Sequence, residues 1–222
     1  MEGENVQPAA IGIRPHSGWA ALVVAAGSPG AIEVIDRRRV VITAPNVQGA
    51  TQPFHFAKEC FEKAGFEKAG SEKDRSLPAA ERYLARCAEA SEELAWNALR
   101  EAILEARRRE RVVASCAILL AAGRSLPALP KILASHPLIH TAEGEFFRQS
   151  FRGAGERLNL RVSGIREKDL EEVARSAFGG KANSLRSEIA GLGRTLGPPW
   201  TSDQKNACLA AVLALAESSR TR

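Results

Sequence analysis

The sequence predicts one α/β domain built on a mixed sheet, and three observations carry that prediction. Residues 9–43 hold three apolar or β-branched runs separated by turn residues. Two further apolar runs, at 112–120 and 160–165, come later in the chain. Between and after them, apolar residues recur at threes and fours, the helical period. An antiparallel three-strand meander, followed by parallel strands with crossover helices, satisfies all three observations.

Taken in order, residues 1–8 are polar. Residues 9–24 read as a strand pair or one long bent strand, with a turn at Pro15, His16, Ser17 and Gly18, and residues 31–43 add a further strand after a turn at Ser28, Pro29 and Gly30. Residues 44–76 read as an irregular surface insertion containing a tandem five-residue repeat, FEKAG at 61–65 and again at 66–70. Units of five residues are far too short for a solenoid. One long amphipathic helix spans 78–111 and ends on arginines, which suit a helix C-terminus. Prolines 127 and 130 then break the chain, residues 136–141 bend, and a helix covers 142–159. Asp169 opens another helix, residues 179–199 are Gly-rich, and a strongly apolar helix closes the chain over 203–217 behind a cap at Thr201 or Ser202.

The 222 residues, 45% of them apolar, suffice for a single core spanning 1–222. The net charge of +5 is concentrated at Arg37, Arg38 and Arg39 and again at Arg107, Arg108, Arg109 and Arg111. Such clusters can meet a phosphate backbone, and they also occur on solvated edge strands and helix ends. The four cysteines form no CxxC pair, so neither a zinc ribbon nor a redox motif is indicated. The N-terminal stretch lacks a basic segment followed by an apolar one, and no apolar run reaches the ~20 residues that span a bilayer. A cytoplasmic protein with no membrane partner is expected.

Two segments carry a family resemblance: IGIRPHSGWAALVV at 11–24 and WTSDQKNACLAAV at 200–212. Together with the element order they resemble the ribonuclease H-like superfamily, with the Holliday-junction resolvases nearest in pattern. The segments RPHSGW at 14–19 and HPLIHTAEGE at 136–145 also resemble a bacterial protein family, which implies no activity of its own. The superfamily likeness implies a ribonuclease H-like mixed sheet with flanking helices. In its nucleases three or four carboxylates hold two divalent metals about the scissile phosphate. Its first strand reads GIDPG, and here the aspartate position is Arg14. The carboxylate expected at the end of the 112–120 strand falls among Ile118, Leu119 and Leu120, and Asp203 alone matches. A metal-dependent nuclease is therefore disfavoured, and the resemblance implies a binding or scaffold domain for nucleic acid or a nucleotide.

Other chemistry remains open. His16, His140, Glu143 and Asp203 are the candidate catalytic residues of a rebuilt hydrolase site, which could hold one divalent metal or do acid–base work. The plainer reading is stronger: His136 and His140 lie beside a turn and hydrogen-bond backbone groups, and Glu143 and Glu145 complement a helix N-terminus. Arg14, Arg37, Arg38, Arg39 and His55 are candidate binding residues. His55, with Phe54, could stack on a base or pack its loop onto the domain. No P-loop, nucleophile elbow or HExxH motif is present.

Overall fold

The computed structural model describes residues 7–62, 73–121 and 125–220. The strands are β1 (Gln7–His16), β2 (Trp19–Ala26), β3 (Glu33–Val41), β4 (Arg111–Leu120) and β5 (Arg161–Arg166). The helices are α1 (Pro53–Glu62), α2 (Lys73–Arg108), α3 (Leu129–Leu133), α4 (His136–Arg157), α5 (Leu170–Phe178), α6 (Ala182–Gly191), α7 (Gly193–Leu196) and α8 (Ser202–Arg220). The sheet order is β3-β2-β1-β4-β5, with β1, β2 and β3 antiparallel and β4 and β5 parallel to β1. This is the mixed sheet, an antiparallel three-strand meander followed by parallel strands, that the sequence predicts.

β1 and β2 meet in a two-residue hairpin in which His16 pairs with Trp19. Gly18 makes this tight connection possible with φ of 78°, a conformation that a side chain would strain. The pleat sends alternate residues of β1 to opposite faces. Ile11 and Ile13 enter a core with Leu22, Cys116, Ile118, Leu99 of α2, and Phe147 and Phe151 of α4. Ala10 joins the opposite core, formed with Val23, Ala117, Leu119, Leu185 of α6 and the buried face of α8. The sheet is thus covered on both sides, which explains the unbroken apolar run of β4.

The structure departs from the sequence reading in three places. The segment 44–76, expected to be irregular, carries α1, whose Ala57 packs with Tyr83, Leu84 and Cys87 of α2. Most of the tandem repeat lies outside the described residues. Helix α4 begins at His136 rather than 142, because Pro137 stands in the first turn, where a missing N–H costs nothing. Residues 179–199 contain α6 and α7 despite their glycines, since Leu185 and Ile189 bury one face of α6 against the α8 side. Cys116 and Cys208 are core residues, and burial pushes both thiols up to about 12. No helix among the described residues is long and apolar enough to cross a membrane.

One contact sets the geometry of everything that follows. A Cβ on Gly12 would lie within 1.8 Å of the Ala207 carbonyl oxygen and 2.7 Å of the Ala211 amide nitrogen. Helix α8 therefore rests its backbone directly on β1, and only glycine permits the approach. Since both partners are backbone, no rotamer change relieves the clash. Gly12→Ala is expected to lower unfolding stability by about 3 kcal/mol or more in urea melts. Gly180→Ala, where a Cβ meets nothing within 4 Å, should stay within about 0.5 kcal/mol of the parent. Equal effects from the two substitutions would contradict the close-packed contact.

Candidate functional site

The periodicities of strand and helix carry the Gly12 contact into a polar centre. Two residues beyond Gly12 on the same face of β1 stands Arg14, and one helical turn before Ala207 on α8 stands Asp203. Their side chains form an ion pair through Arg14 Nη1 and Asp203 Oδ1. Arg14 Nε and Nη2 both donate to Glu167 Oε1 at 2.8 Å, from the residue that follows β5. Asn206, the next turn of α8 beside Asp203, donates to the same Glu167 oxygen at 3.2 Å and accepts from Arg186 at 3.0 Å. One guanidinium thus spans two carboxylates delivered by β5 and α8.

The end of α8 that supplies Asp203 is held from two directions. The Thr201 amide and hydroxyl both donate to Gln204 Oε1, at 2.7 and 3.0 Å, closing the first turn as half of a capping box. Arg37, reaching from β3, donates to the carbonyl oxygens of Leu196 at 2.5 Å, Gly197 at 2.9 Å and Pro199. Trp200 completes the strap by donating from Nε1 to Ile189 O at 2.7 Å.

On the rim, the His16 ring stacks on Trp19 with centroids 4.1 Å apart and planes 8° from parallel. The exposed Arg39 sets its guanidinium carbon 4.1 Å from the Trp19 ring centroid. His16 Nε2 lies 3.2 Å from Arg14 Nη1 and 3.3 Å from Asp203 Oδ1. A cation can only donate, so the Arg14 contact requires Nε2 to be the accepting, unprotonated nitrogen of a neutral imidazole. Burial, then the Arg14 charge, pushes the His16 pKa below its ordinary value, which favours a neutral ring. Arg148 of α4 approaches from the other side and donates from Nε to Leu119 O at 3.3 Å. Burial lowers its pKa, and the charges of Glu145 and Glu167 oppose the shift.

A second cluster forms where α1 meets the start of α4. His55, His136 and His140 each direct a ring nitrogen into a common space, with these atoms all within 4.8 Å of one another. Glu143, 3% exposed, accepts at Oε1 from the Phe54 amide at 2.9 Å, the His55 amide at 3.1 Å and His55 Nδ1 at 3.2 Å. Burial raises the Glu143 pKa, and the hydrogen bonds from His55 pull against that rise.

The four candidate catalytic residues thus divide between two places, with His16 and Asp203 at the Arg14 centre and His140 and Glu143 at the histidine cluster. His140 and Arg148 are eight residues apart on one helix, about 12 Å of rise. Of the candidate binding residues, Arg37 is committed to the strap and Arg38 to Asp36 and Glu101; only Arg39 of that trio is exposed. His55 belongs to the first turn of α1 rather than to an irregular loop, because Glu143 accepts from that turn's free amides.

Glu167 and His136 escaped the sequence reading as site residues. Glu167 had a signal, a carboxylate at the carboxyl end of a parallel strand, which is where sites on such sheets collect. The His136–His140 pair was legible as an i, i+4 spacing once Pro137 is read as a helix start rather than a turn.

The site is a guanidinium held between Glu167, which follows β5, and Asp203, in the first turn of α8. The two divalent ions that the ribonuclease H-like resemblance implies do not fit here: Arg14 already neutralises Glu167 and Asp203 from within bonding distance, and β4 ends in apolar residues. Among particular proteins, the chain is similar to Thermus thermophilus RuvC in complex with a Holliday junction substrate, at 14% identity over 96% of each chain with a TM-score of 0.47. It is also similar to a second RuvC structure from that organism, at 13% identity over 96% of each chain with a TM-score of 0.46. No protein-family model and no curated protein matches the sequence.

The lowered pKa of His16 makes a signed prediction. A group whose folded pKa lies below its unfolded value contributes stability above that value and loses it as pH falls. Starting from the ordinary 6.5 and moving acid, the parent protein should lose stability more steeply than His16→Asn, measured by urea unfolding at a series of pH values. Parallel curves below pH 6.5 would mean that His16 does not sit in this environment.

Proposed function

We propose that this chain is a ribonuclease H-like binding domain for nucleic acid or a nucleotide, in which a fixed guanidinium replaces the metal centre of a nuclease. The observation that carries the reading is the Arg14 ion pair with Glu167 and Asp203. It supplies permanently, and without exchange, the positive charge that a cutting centre would take from divalent ions. A guanidinium offers directed donors and no open coordination position, so it can neither polarise a phosphoryl oxygen as a Lewis acid nor generate a metal-activated water. The hydrolase alternative, with His16, His140, Glu143 and Asp203 in one cleft, is disfavoured by their division between two clusters.

The centre holds one cation against two carboxylates, so it is no phosphate site by itself. A polyanion would engage the rim, where Arg39 is exposed over Trp19 and His16 presents a neutral, stacked ring. Aromatic rings beside an exposed arginine suit a nucleotide, whose base stacks while its phosphate meets the cation. Single strands, whose bases are accessible, suit such a rim better than a closed duplex.

Fluorescence anisotropy with a labelled single strand and a four-way junction, in EDTA at low salt, tests this. Binding should persist without metal and weaken as salt rises, because counterions are released on binding. Arg39→Glu should weaken it roughly tenfold, equivalent to about 1.4 kcal/mol. Absence of salt-dependent binding to either DNA, or magnesium-dependent cleavage of the junction by the purified parent protein, would overturn the reading.

A further inference from the structure

We propose that His55, His136 and His140 form a zinc site that clamps α1 to the start of α4, separate from the Arg14 centre. Three imidazoles from two helices direct one nitrogen each into a shared space, all within 4.8 Å. The ring centroids are 4.4, 4.9 and 5.4 Å apart, and every pair meets edge-on, at 86°, 62° and 78°. Apolar packing would stack or bury such rings, yet His136 and His140 are exposed. Their i, i+4 spacing on α4 puts both on one face of the helix.

The supporting shell is that of a metal site. Histidine ligands are oriented by a carboxylate or carbonyl that accepts from the second ring nitrogen. Here Glu143 Oε1 accepts from His55 Nδ1 at 3.2 Å, leaving Nε2 as the unprotonated nitrogen for a metal. Glu143 is held in turn by the Phe54 and His55 amides, so the ligand is fixed to its own helix turn. Its other oxygen, Oε2, is buried and has no hydrogen-bond partner among the described residues. A buried carboxylate with an unpartnered oxygen is costly, and a nearby divalent cation offsets that cost.

The donor set selects the ion. Three neutral nitrogens suit zinc and neighbouring transition metals rather than magnesium or calcium, which prefer oxygen. Tetrahedral coordination at 2.0–2.1 Å places ligand nitrogens about 3.4 Å apart. Closing from 4.8 Å to that spacing falls to His136 and His140, the two exposed side chains of the three. Three protein ligands leave the fourth position to solvent.

Isothermal titration of the full chain with zinc alone, paired with the visible spectrum of the cobalt-substituted protein, tests the site. One equivalent should bind, raise the melting temperature, and give the intense visible bands of tetrahedral cobalt. Substitution His136→Ala or His140→Ala, each at an exposed position, should weaken affinity at least tenfold while the metal-free melting temperature is kept. Glu143→Gln should weaken zinc binding within a folded protein, and His16→Ala should leave it unchanged. Absence of a one-to-one complex, octahedral cobalt spectra, or zinc affinity unaltered by His136→Ala and His140→Ala would each overturn the proposal. Nucleic-acid binding by Arg39 is read separately in EDTA, so failure of either claim leaves the other standing.

Discussion

Helix α8 lies on β1 backbone to backbone, and the chemistry of the molecule is arranged by that contact. Gly12 permits it, Ala207 and Ala211 line it, and no larger residue fits between them. Once the contact is made, the strand period of two and the helix period of nearly four bring Arg14 and Asp203 together. Glu167 then arrives from the end of β5, one strand beyond β4, because the parallel strands end on the same side of the sheet. The polar centre follows from a packing constraint and needs no long loop to assemble it.

The electrostatics of that centre are settled within the chain. Two half-buried carboxylates at a sheet end repel each other and call for a cation. Most proteins of such geometry could take that cation from solution; here the chain supplies it covalently, from its first strand. Arg14 is held by both acids and touches His16, so the charge cannot leave and cannot be exchanged. Arg37 spends its donors on the carbonyls before α8, fixing the height of Asp203 over the sheet. An arginine that looks like part of a basic patch is in fact structural, and of that trio only Arg39 is exposed, over Trp19.

Much of the fold was legible in the sequence, because the five strands are marked by apolar and β-branched runs with clear turn residues, and α8 by its apolar length. The segments 11–24 and 200–212, singled out in the sequence, contain Arg14 and Asp203, which the structure pairs. What escaped depends on tertiary context. Helix α1 is held by Glu143, 89 residues or fewer away along the chain, and its own residues carry no comparable local signal. Pro137 reads as a break unless it is recognised as a first-turn residue. The glycines of 179–199 mask α6, which is helical because Leu185 and Ile189 are buried against the α8 layer. Glu167 looks like one charge among several in REKD, and only the parallel register of β5 with β4 aims it at Arg14.

The central observation is that Arg14 is the counter-ion of both Glu167 and Asp203. Nuclear magnetic resonance with paramagnetic manganese tests it most directly, by following the resonances of Glu167, Asp203 and Asn206 in the parent protein and in Arg14→Asp. The account predicts that manganese leaves these resonances sharp in the parent and broadens them in the variant, where a third carboxylate replaces the guanidinium. Selective broadening of the same resonances in the parent protein would show that a metal binds there beside Arg14, and the account would be wrong.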